Sequence, residues 1–320
     1  MESTGDSKKL ETFDLHRSRL FGLAYRMLGT RDDAEDILQE AYIRWHKADT
    51  ATIETPEAWL VTAVTRLSID RLRKASTQRQ IYIGPWLPEP IMTSPESSPQ
   101  ENAELASGLS LAFMVLLERL SPTERAVFLL HDIFDCGYAE IARIIGKEEA
   151  ATRQMVSRAR SRVRNDKPRF EANESEKADL IKKFVSASNA GDEASLMSIF
   201  SNDIMIMSDG GGVVTAARKI LRGGRRIAHL YGIQGRNGLY QLESYFILIN
   251  GELGLLRLYE GRPFVINTFE IEDGQITAMY SVMNPEKLKA FEKVDKEKIA
   301  NEVSQFLGSP VLVNEGREIG

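Results

Sequence analysis

The side chains best suited to binding chemistry lie between residues 153 and 164 of this 320-residue chain. At helical spacing they form two adjacent outer stripes: Arg153, Ser157, Arg160 and Arg164 on one, and Gln154, Arg158 and Arg162 on the other. Guanidinium groups on such a stripe can pair with phosphate, or with guanine edges in bidentate fashion. A solvated arginine-rich helix is the simpler alternative, but few acidic residues interrupt the run. The pattern therefore favours a nucleic-acid contact.

Two short helices are expected to position these side chains. Ser121 and Glu124 form a capping-box signature, with Pro122 at the first helical turn. The segment YAEIARIIG then gives a short helix, and Gly146 marks the turn before the basic helix. This order predicts a helix-turn-helix whose second helix enters the major groove. Residues near the start of that helix, namely Arg153, Gln154 and Ser157, are the candidates for base readout, and the later arginines are expected to hold phosphates.

A second charged region runs from Thr30 to Arg79 and predicts two helices of opposite character. The first buries one apolar face and exposes an acidic one, made of Asp32, Asp36, Gln39, Glu40 and the aliphatic Ile43. The second starts with Thr55 and Pro56 and becomes cationic toward its end, at Arg66, Arg71, Arg73, Lys74 and Arg79. An acidic surface repels nucleic acid and suits a basic protein. The pair suggests a bridge between a protein machine and DNA.

The strings YRMLGTRDDAEDILQEAYIRW and AWLVTAVTRLSIDRLR resemble region 2 of bacterial extracytoplasmic-function (ECF) sigma factors. The resemblance implies that the acidic helix docks on core RNA polymerase through Asp36, Gln39 and Glu40. It also implies that the basic helix opens and reads the minus-ten element of promoter DNA through Arg66, Asp70, Arg71, Arg73 and Lys74. In that setting the helix-turn-helix resembles region 4, the reader of the minus-thirty-five element, through Arg153, Gln154, Ser157, Arg158, Arg160 and Arg164.

The segment after residue 80 changes in composition and contains five prolines up to Pro99. That density is incompatible with a helix or a central strand, so a linker is expected, stiff in its first half. Trp86 and Leu87 are unusually apolar for a solvated tether. Either Trp86 caps the preceding domain, or the segment docks between domains.

The chain beyond residue 174 predicts two helices followed by strands, with hairpins at Asn250–Gly251 and Asp273–Gly274. This order predicts an α+β domain. It resembles the SnoaL-like cone of the SigJ-like ECF group, also called group forty-one, which shares GPWLPEP, DGGG and NPxKL motifs. They imply a regulatory contact between domains through Trp86, Leu87, Pro88, Glu89, Pro90, Asp209, Gly210, Gly211, Gly212, Asn284, Pro285, Lys287 and Leu288. Val213 stands where that group often has a basic residue, so the resemblance does not extend to its side chain.

The predicted organisation is therefore multidomain, with two all-α sigma domains and an α+β SnoaL-like cone. The expected segments are region 2 at 12–80, a linker at 81–104, region 4 at 105–170, the regulatory domain at 174–290 and an unassigned tail at 291–320. Residues before about Glu11 are expected to be disordered. The net charge of −5 requires that DNA affinity come from local patches. The single Cys136 and the lack of a long apolar run or a signal segment favour a cytoplasmic protein with no membrane partner.

The cone fold also occurs in cyclases and isomerases that use a buried carboxylate, so two other functions remain open. Asp209 is the first candidate for catalysis and His229 the second, although an aspartate before glycines is more often a turn residue. A helix-turn-helix regulator with a small-molecule-sensing or cyclase-like domain is the alternative to a sigma factor. We expect no catalysis, no metal and no cofactor. A small molecule or a protein at the C-terminal domain is the possible signal.

Overall fold

The computed structural model describes residues 2–94, 109–164, 173–238 and 242–308. The chain divides into two compact units. The first contains the described residues up to Ile81, Leu109, and those from Phe113 to Arg164. The second contains those from Tyr82 to Ser94, residues 110–112, and everything described from Asn173 onward. The domain limits predicted from the sequence stay predictions; 95–104, 105–108, 165–170 and 309–320 lie outside the described residues.

The first unit is all α-helical. Its helices are α1 (Glu2–Leu28), α2 (Arg31–Lys47), α3 (Pro56–Gln80), α4 (Leu111–Leu117, whose first two residues belong to the other unit), α5 (Pro122–Asp132), α6 (Tyr138–Ile145) and α7 (Glu149–Arg164). A single turn of 3₁₀ helix, Thr50–Thr52, precedes α3. Helices α1, α2 and α3 pack together around residues that the sequence places on one face, such as Ile37, Leu60 and Val64.

Helix α1 begins at Glu2, so the expected disorder before Glu11 is wrong. The physical reason is a set of hydrogen bonds, in both directions, between Lys9 and the end of α2. The Lys9 Nζ atom donates to the carbonyl oxygens of His46 (2.7 Å) and Ala48 (2.9 Å), and the Trp45 indole donates to the Lys9 carbonyl (2.9 Å). These bonds satisfy carbonyls that a helix end leaves without partners. The polar composition of this segment therefore did not indicate that it forms a helix held by α2.

The helix-turn-helix forms as the sequence predicts. Both hydrogen bonds of the Ser121–Glu124 capping box are present. Helix α6 ends at Gly146, whose φ of 66° is the left-handed conformation that glycine adopts without strain. Helix α7 packs its apolar side inward through Val156, Ala159 and Val163, which leaves its basic residues outside or at the edge.

The second unit is a mixed sheet with helices, which confirms the predicted α+β class. Its elements are α8 (Glu174–Ala190), α9 (Glu193–Ile199), β1 (Phe200–Asp209), β2 (Leu221–Arg222), α10 (Gly224–Arg236), β3 (Leu242–Ile249), β4 (Glu252–Tyr259), β5 (Arg262–Glu272), β6 (Gln275–Val282), α11 (Pro285–Leu288) and α12 (Lys296–Leu307). A 3₁₀ turn, Lys289–Phe291, follows α11.

The six strands are ordered β2-β1-β6-β5-β4-β3. Strands β3 to β6 form the predicted antiparallel meander, whereas β1 pairs with β6 in parallel. Both predicted hairpins have positive φ at their two turn residues, as a type I′ turn requires. A third hairpin, at Glu260–Gly261, has the same geometry and was not predicted.

Two further segments cover the β3 edge of this sheet. The linker runs beside it, where Thr93 N donates to the Leu248 carbonyl (3.0 Å) and Asn250 N donates to the Ile91 carbonyl (2.8 Å). The previously unassigned tail supplies α12, and Glu302 of this helix accepts a hydrogen bond from the Ser94 hydroxyl (2.7 Å). Covering an edge removes a site where another strand would pair. None of the helices in the described ranges has the length and apolar run needed to cross a bilayer.

Candidate functional site

The acidic face of α2 is exposed. Asp36, Gln39 and Glu40 all point to solvent, and Ile43 is 46% exposed beside them. The charges are paired only at the surface: Asp36 with Arg71 of α3 (2.9 Å) and Glu40 with Arg44 one turn later (2.6 Å). Exposed pairs of this kind contribute little to stability, about 0–1 kcal/mol. The face is therefore available for a basic partner that replaces these intramolecular cations.

The predicted minus-ten residues differ in the partners that their side chains contact. Asp70 and Arg73 form an exposed pair with each other (3.3 Å), and Lys74 is exposed. Arg66 instead reaches the C-terminal end of α6, where its Nε donates to the Ile144 carbonyl (2.8 Å) and its Nη2 to the Arg143 carbonyl (3.0 Å). A cation is stabilised at a helix C-terminus by the carbonyls and the helix dipole. In this arrangement Arg66 links α3 to the helix-turn-helix.

A partly buried ion cluster joins the same two regions. Arg125 of α5 is 1% exposed; it donates to the Met27 carbonyl at the end of α1 (2.8 Å) and pairs with Glu118 (2.6 Å). Glu118 also pairs with Arg79 of α3, whose other nitrogen donates to the Leu28 carbonyl (2.5 Å). Sequence reasoning did not single out Arg125 or Glu118, because nothing in their spacing distinguishes them from solvated charges.

Four of the residues predicted to contact the minus-thirty-five element lie at the accessible surface of α7. Gln154, Ser157 and Arg158 are exposed. Arg153 is exposed too, with its guanidinium 5.0 Å from the centroid of the Tyr138 ring and 3.0 Å from the Glu149 carboxylate. These contacts hold an otherwise flexible side chain at the start of α7.

Arg160 is placed differently. Its Nε donates to both carboxylate oxygens of Asp132 in α5, at 2.7 and 3.0 Å, and this pairing raises the pKa of Arg160. A phosphate contact by this residue would have to compete with that bidentate pair. The backbone of Arg164 closes α7, but its side chain lies outside the described part of the chain.

The three shared motifs of the C-terminal resemblance meet at Asp209, the last residue of β1. This side chain is fully buried, and its two oxygens accept four hydrogen bonds. One oxygen accepts from the Tyr82 hydroxyl (2.7 Å) and Gly211 N (3.0 Å), and the other from Leu87 N (2.9 Å) and Lys287 Nζ (2.7 Å). Asp209 is thus an anchor for the linker as well as a turn residue.

Lys287 of α11 completes this anchor. It is 7% exposed, and its Nζ also donates to the Leu87 carbonyl. The same ammonium lies 4.2 Å from the centroid of the Trp86 ring and 5.5 Å from that of Tyr82, distances typical of cation–π contacts. Burial and the hydrogen bond to Asp209 raise the pKa of Tyr82, which keeps its hydroxyl a donor. Tyr82 was not among the predicted residues.

The glycines after Asp209 are needed for close approach. Gly211 has a φ of 63°, and a Cβ atom there would lie 2.5 Å from the Asn284 amide nitrogen. That amide donates to the Tyr82 hydroxyl (2.9 Å), so a side chain at Gly211 would displace the anchor. At Gly210 a Cβ atom would meet the Val214 carbonyl oxygen at 2.7 Å. Gly212 also has a positive φ, while Val213 after it is 72% exposed.

The remaining predicted linker and motif residues are neighbours in the chain of the residues that form this anchor. Leu87, Pro88, Pro90 and Leu288 are buried, Glu89 is half-buried, and Pro285 is exposed. His229 does not join them: it is exposed and its Nδ1 lies 3.1 Å from a Glu193 carboxylate oxygen.

Comparison with known proteins identifies both helical regions. The family model for Sigma-70 region 2 matches residues 12–78, and that for Sigma-70 region 4 matches residues 110–163. The chain is 35% identical over 292 residues to the ECF RNA polymerase sigma factor SigJ of Mycobacterium tuberculosis, which covers 87% of this chain and 93% of that protein. It is 32% identical over 209 residues to a probable ECF RNA polymerase sigma factor, SigI, of the same organism, across 64% of this chain and 72% of that protein.

The likeness extends to the three-dimensional structure. The crystal structure of M. tuberculosis SigJ matches with a TM-score of 0.70 and 33% identity, over 87% of this chain and 98% of that one. The match therefore includes the C-terminal sheet as well as the two helical regions. Taken with the two family models, this similarity shows that the chain belongs to the ECF RNA polymerase sigma factors.

Proposed function

We propose that this chain binds core RNA polymerase, directs it to specific promoters, and is controlled by its C-terminal α+β domain. The observation that carries the first part is the exposed acidic face of α2 beside the cationic α3, in one unit with a helix-turn-helix. A repressor that contacts only DNA has no use for such a face. The proposed site of action is the cytoplasm, where polymerase and promoter are found.

Position and exposure support the residue roles that we propose. Core polymerase contacts Asp36, Gln39 and Glu40. The minus-ten element contacts the cationic end of α3, and the minus-thirty-five element contacts the exposed start of α7. Arg66 has to leave the carbonyls of Arg143 and Ile144 before it can touch DNA. Promoter reading therefore requires regions 2 and 4 to separate from the packed arrangement described above.

The linker anchor supports the proposal that the C-terminal domain controls transcription. Residues between Tyr82 and Ser94 are held by the C-terminal domain through a buried ion pair and an edge of the sheet. Leu87, fully buried, contributes about 1.5–3 kcal/mol of apolar burial. A linker fixed in this way restricts how far the two DNA-reading regions can move apart. The docked and released states need differ by only a few kcal/mol for a partner to switch them.

Catalysis is not part of the proposal. The carboxylate of Asp209 is occupied by four donors, and His229 is paired with Glu193 at the surface. Neither group has the free, poised geometry that a general acid or base needs.

The test is run-off transcription with purified core polymerase from the chain's own upstream region. Arg153→Ala is expected to weaken promoter binding at one base position by about 1–3 kcal/mol, because a bidentate base contact is lost. Arg158→Ala serves as the matched control and should weaken all promoter variants alike, with a salt slope lower by about one. If Arg153→Ala weakens binding to every promoter variant equally, Arg153 belongs among the phosphate contacts. If the parent chain supports no transcription, the proposed function is refuted.

A further inference from the structure

The C-terminal unit contains a cavity of about 610 Å³ that the sigma-factor role does not explain. Its wall comes from the sheet and from α10, and much of it is apolar, including Ile206, Leu242, Phe264, Val265 and Met283. A volume of this size is within the usual range of small-molecule sites, about 300–1,000 Å³. An apolar wall alone is also what a folding core needs, so the ligand class depends on its polar groups.

The decisive group is Arg257 of β4, which lines this cavity and is only 6% exposed. One of its nitrogens, Nη2, donates to the Asn189 side-chain oxygen at 2.8 Å. Its Nε has no hydrogen-bond partner, and no carboxylate within the described ranges lies at salt-bridge distance from it. Burial lowers the pKa of Arg257 to about 10, so the guanidinium is still charged at neutral pH. A buried charge without a counter-ion is costly and is unusual without a function.

The other polar groups of the cavity are neutral or basic. Asn267 and Ser281 are joined by a hydrogen bond from the Asn267 amide to the Ser281 hydroxyl (2.8 Å). Tyr231 adds a neutral hydroxyl, and burial raises its pKa from the ordinary value to about 12. Arg226 and His229 add basic character from α10, and among the described lining residues there is no aspartate or glutamate. The cavity thus offers cations and hydrogen-bond donors but no acid.

We propose that the cavity binds a small organic acid with an apolar body, and that its carboxylate pairs with Arg257. The apolar wall takes the body of the molecule, and the free Nε–H supplies a donor for one carboxylate oxygen. A carboxylate provides the missing counter-charge, whereas a cation would be repelled by Arg257 and a neutral molecule would leave the charge unpaired.

The cavity wall continues directly into the linker anchor. Ser208 lines the cavity and precedes Asp209, and Met283 lines it and precedes Asn284. The two strand ends are joined by a hydrogen bond from Met283 N to the Asp209 carbonyl (2.8 Å). A ligand that orders this wall therefore acts on the residues that hold Tyr82 and Leu87. We expect it to slow hydrogen exchange in residues 82–94.

The first experiment uses the full chain and no substitution. Calorimetry would compare octanoate and 3-phenylpropionate with their matched neutral amides. We expect the acids to bind at least about tenfold more tightly, since a hydrogen bond to a charged group contributes more than a neutral one. Equal binding of acid and amide, or no binding of either acid, would overturn the proposal. Unchanged exchange of residues 82–94 at saturating acid would overturn the coupling to the linker.

The second experiment tests Arg257 itself. Arg257→Met keeps much of the side-chain length and removes the charge, so we expect the preference for acid over amide to disappear. The ligand-free variant should unfold at the same temperature as the parent or higher, because an unpaired buried charge is gone. Arg262→Met, at an exposed position of β5, is the control and should bind like the parent. Unchanged octanoate binding by Arg257→Met would refute the assignment; if this variant fails to fold, the acid–amide comparison on the parent decides.

Discussion

Two aspartate–cation pairs, one in each unit, show how differently this chain uses the same chemistry. The Asp36–Arg71 pair lies 2.9 Å apart on the surface, with side chains 60% and 40% exposed. The Asp209–Lys287 pair lies 2.7 Å apart, with side chains 0% and 8% exposed. Water can replace either partner in the first pair. In the second, removing one partner leaves the other charged inside the protein.

This difference corresponds to two tasks. Surface charges that are paired weakly can exchange their partners for polymerase or DNA at little cost. Buried charges with full hydrogen bonding fix one arrangement of the chain, and here they fix the path of the linker. Under the proposed function, binding therefore depends on the exposed pairs and control on the buried one. The variants below are designed to break each pair in turn.

The largest effect is expected for Asp209→Ala. It leaves Lys287 buried without its carboxylate, and breaking a buried pair in this way typically costs about 3–5 kcal/mol. Urea unfolding of the full chain would measure the loss, and hydrogen exchange would show faster exchange at Tyr82 and Leu87. Asp203→Ala, on an exposed position of the same strand, is the control and should change stability by no more than about 0.5 kcal/mol. Similar stability of the two variants would contradict the role of Asp209 as the anchor of the linker.

An intermediate effect is expected for Glu118→Gln in the helical unit. The substitution removes the charge that Arg125 and Arg79 share, although an amide oxygen can still accept one hydrogen bond. Hydrogen bonds to charged groups contribute about 1.5–3 kcal/mol, so a loss in that range is expected in urea unfolding. Glu35→Gln, which breaks the exposed pair with Arg17, is the matched control. A loss no larger than that of the control would show that the cluster does not hold regions 2 and 4 together.

The smallest effect on stability is expected for Asp36→Lys, within about 0.5 kcal/mol, because the side chain is exposed. The substitution should lower the affinity for core polymerase by much more than it lowers stability, since it reverses a charge on the proposed docking face. Competition for core polymerase against the parent chain measures this. Glu292→Lys makes the same charge change in the other unit. If Asp36→Lys competes for core polymerase as well as the parent chain and the Glu292→Lys control do, the docking face is elsewhere.

Much of the fold was predictable because it depends on local rules. The Ser121–Glu124 capping box, the Gly146 turn and two hairpins each follow from residues a few positions apart. The acidic face of α2 also follows from helical periodicity. What depends on distant contacts was missed: the anchored start of α1 and the parallel pairing of β1 with β6. Helix α12 was missed although it has local signals, with Asp295 as N-cap and Gly308 as C-cap.

The candidate sites show the same limit. Trp86, Asp209 and Lys287 were selected through shared motifs, but their convergence on one buried ion pair was not visible in the sequence. Tyr82 lies outside every motif, and its contact with Asp209 spans 127 positions of the chain. Arg257 reads as an ordinary charge in a strand, because only the folded sheet shows that it is buried without a counter-ion.

The central claim is that the C-terminal domain controls transcription by holding the linker. It is tested most directly by run-off transcription with the full chain and with chains ending after Leu288, at Met283 and at Arg169. The chain ending at Leu288 keeps the anchor and should transcribe like the full chain. The chain ending at Met283 loses Asn284 and Lys287, so its activity should rise several-fold, and Lys287→Met in the full chain should shift it in the same direction. Equal activity of all four chains, with no effect of Trp86→Ala, would contradict the account.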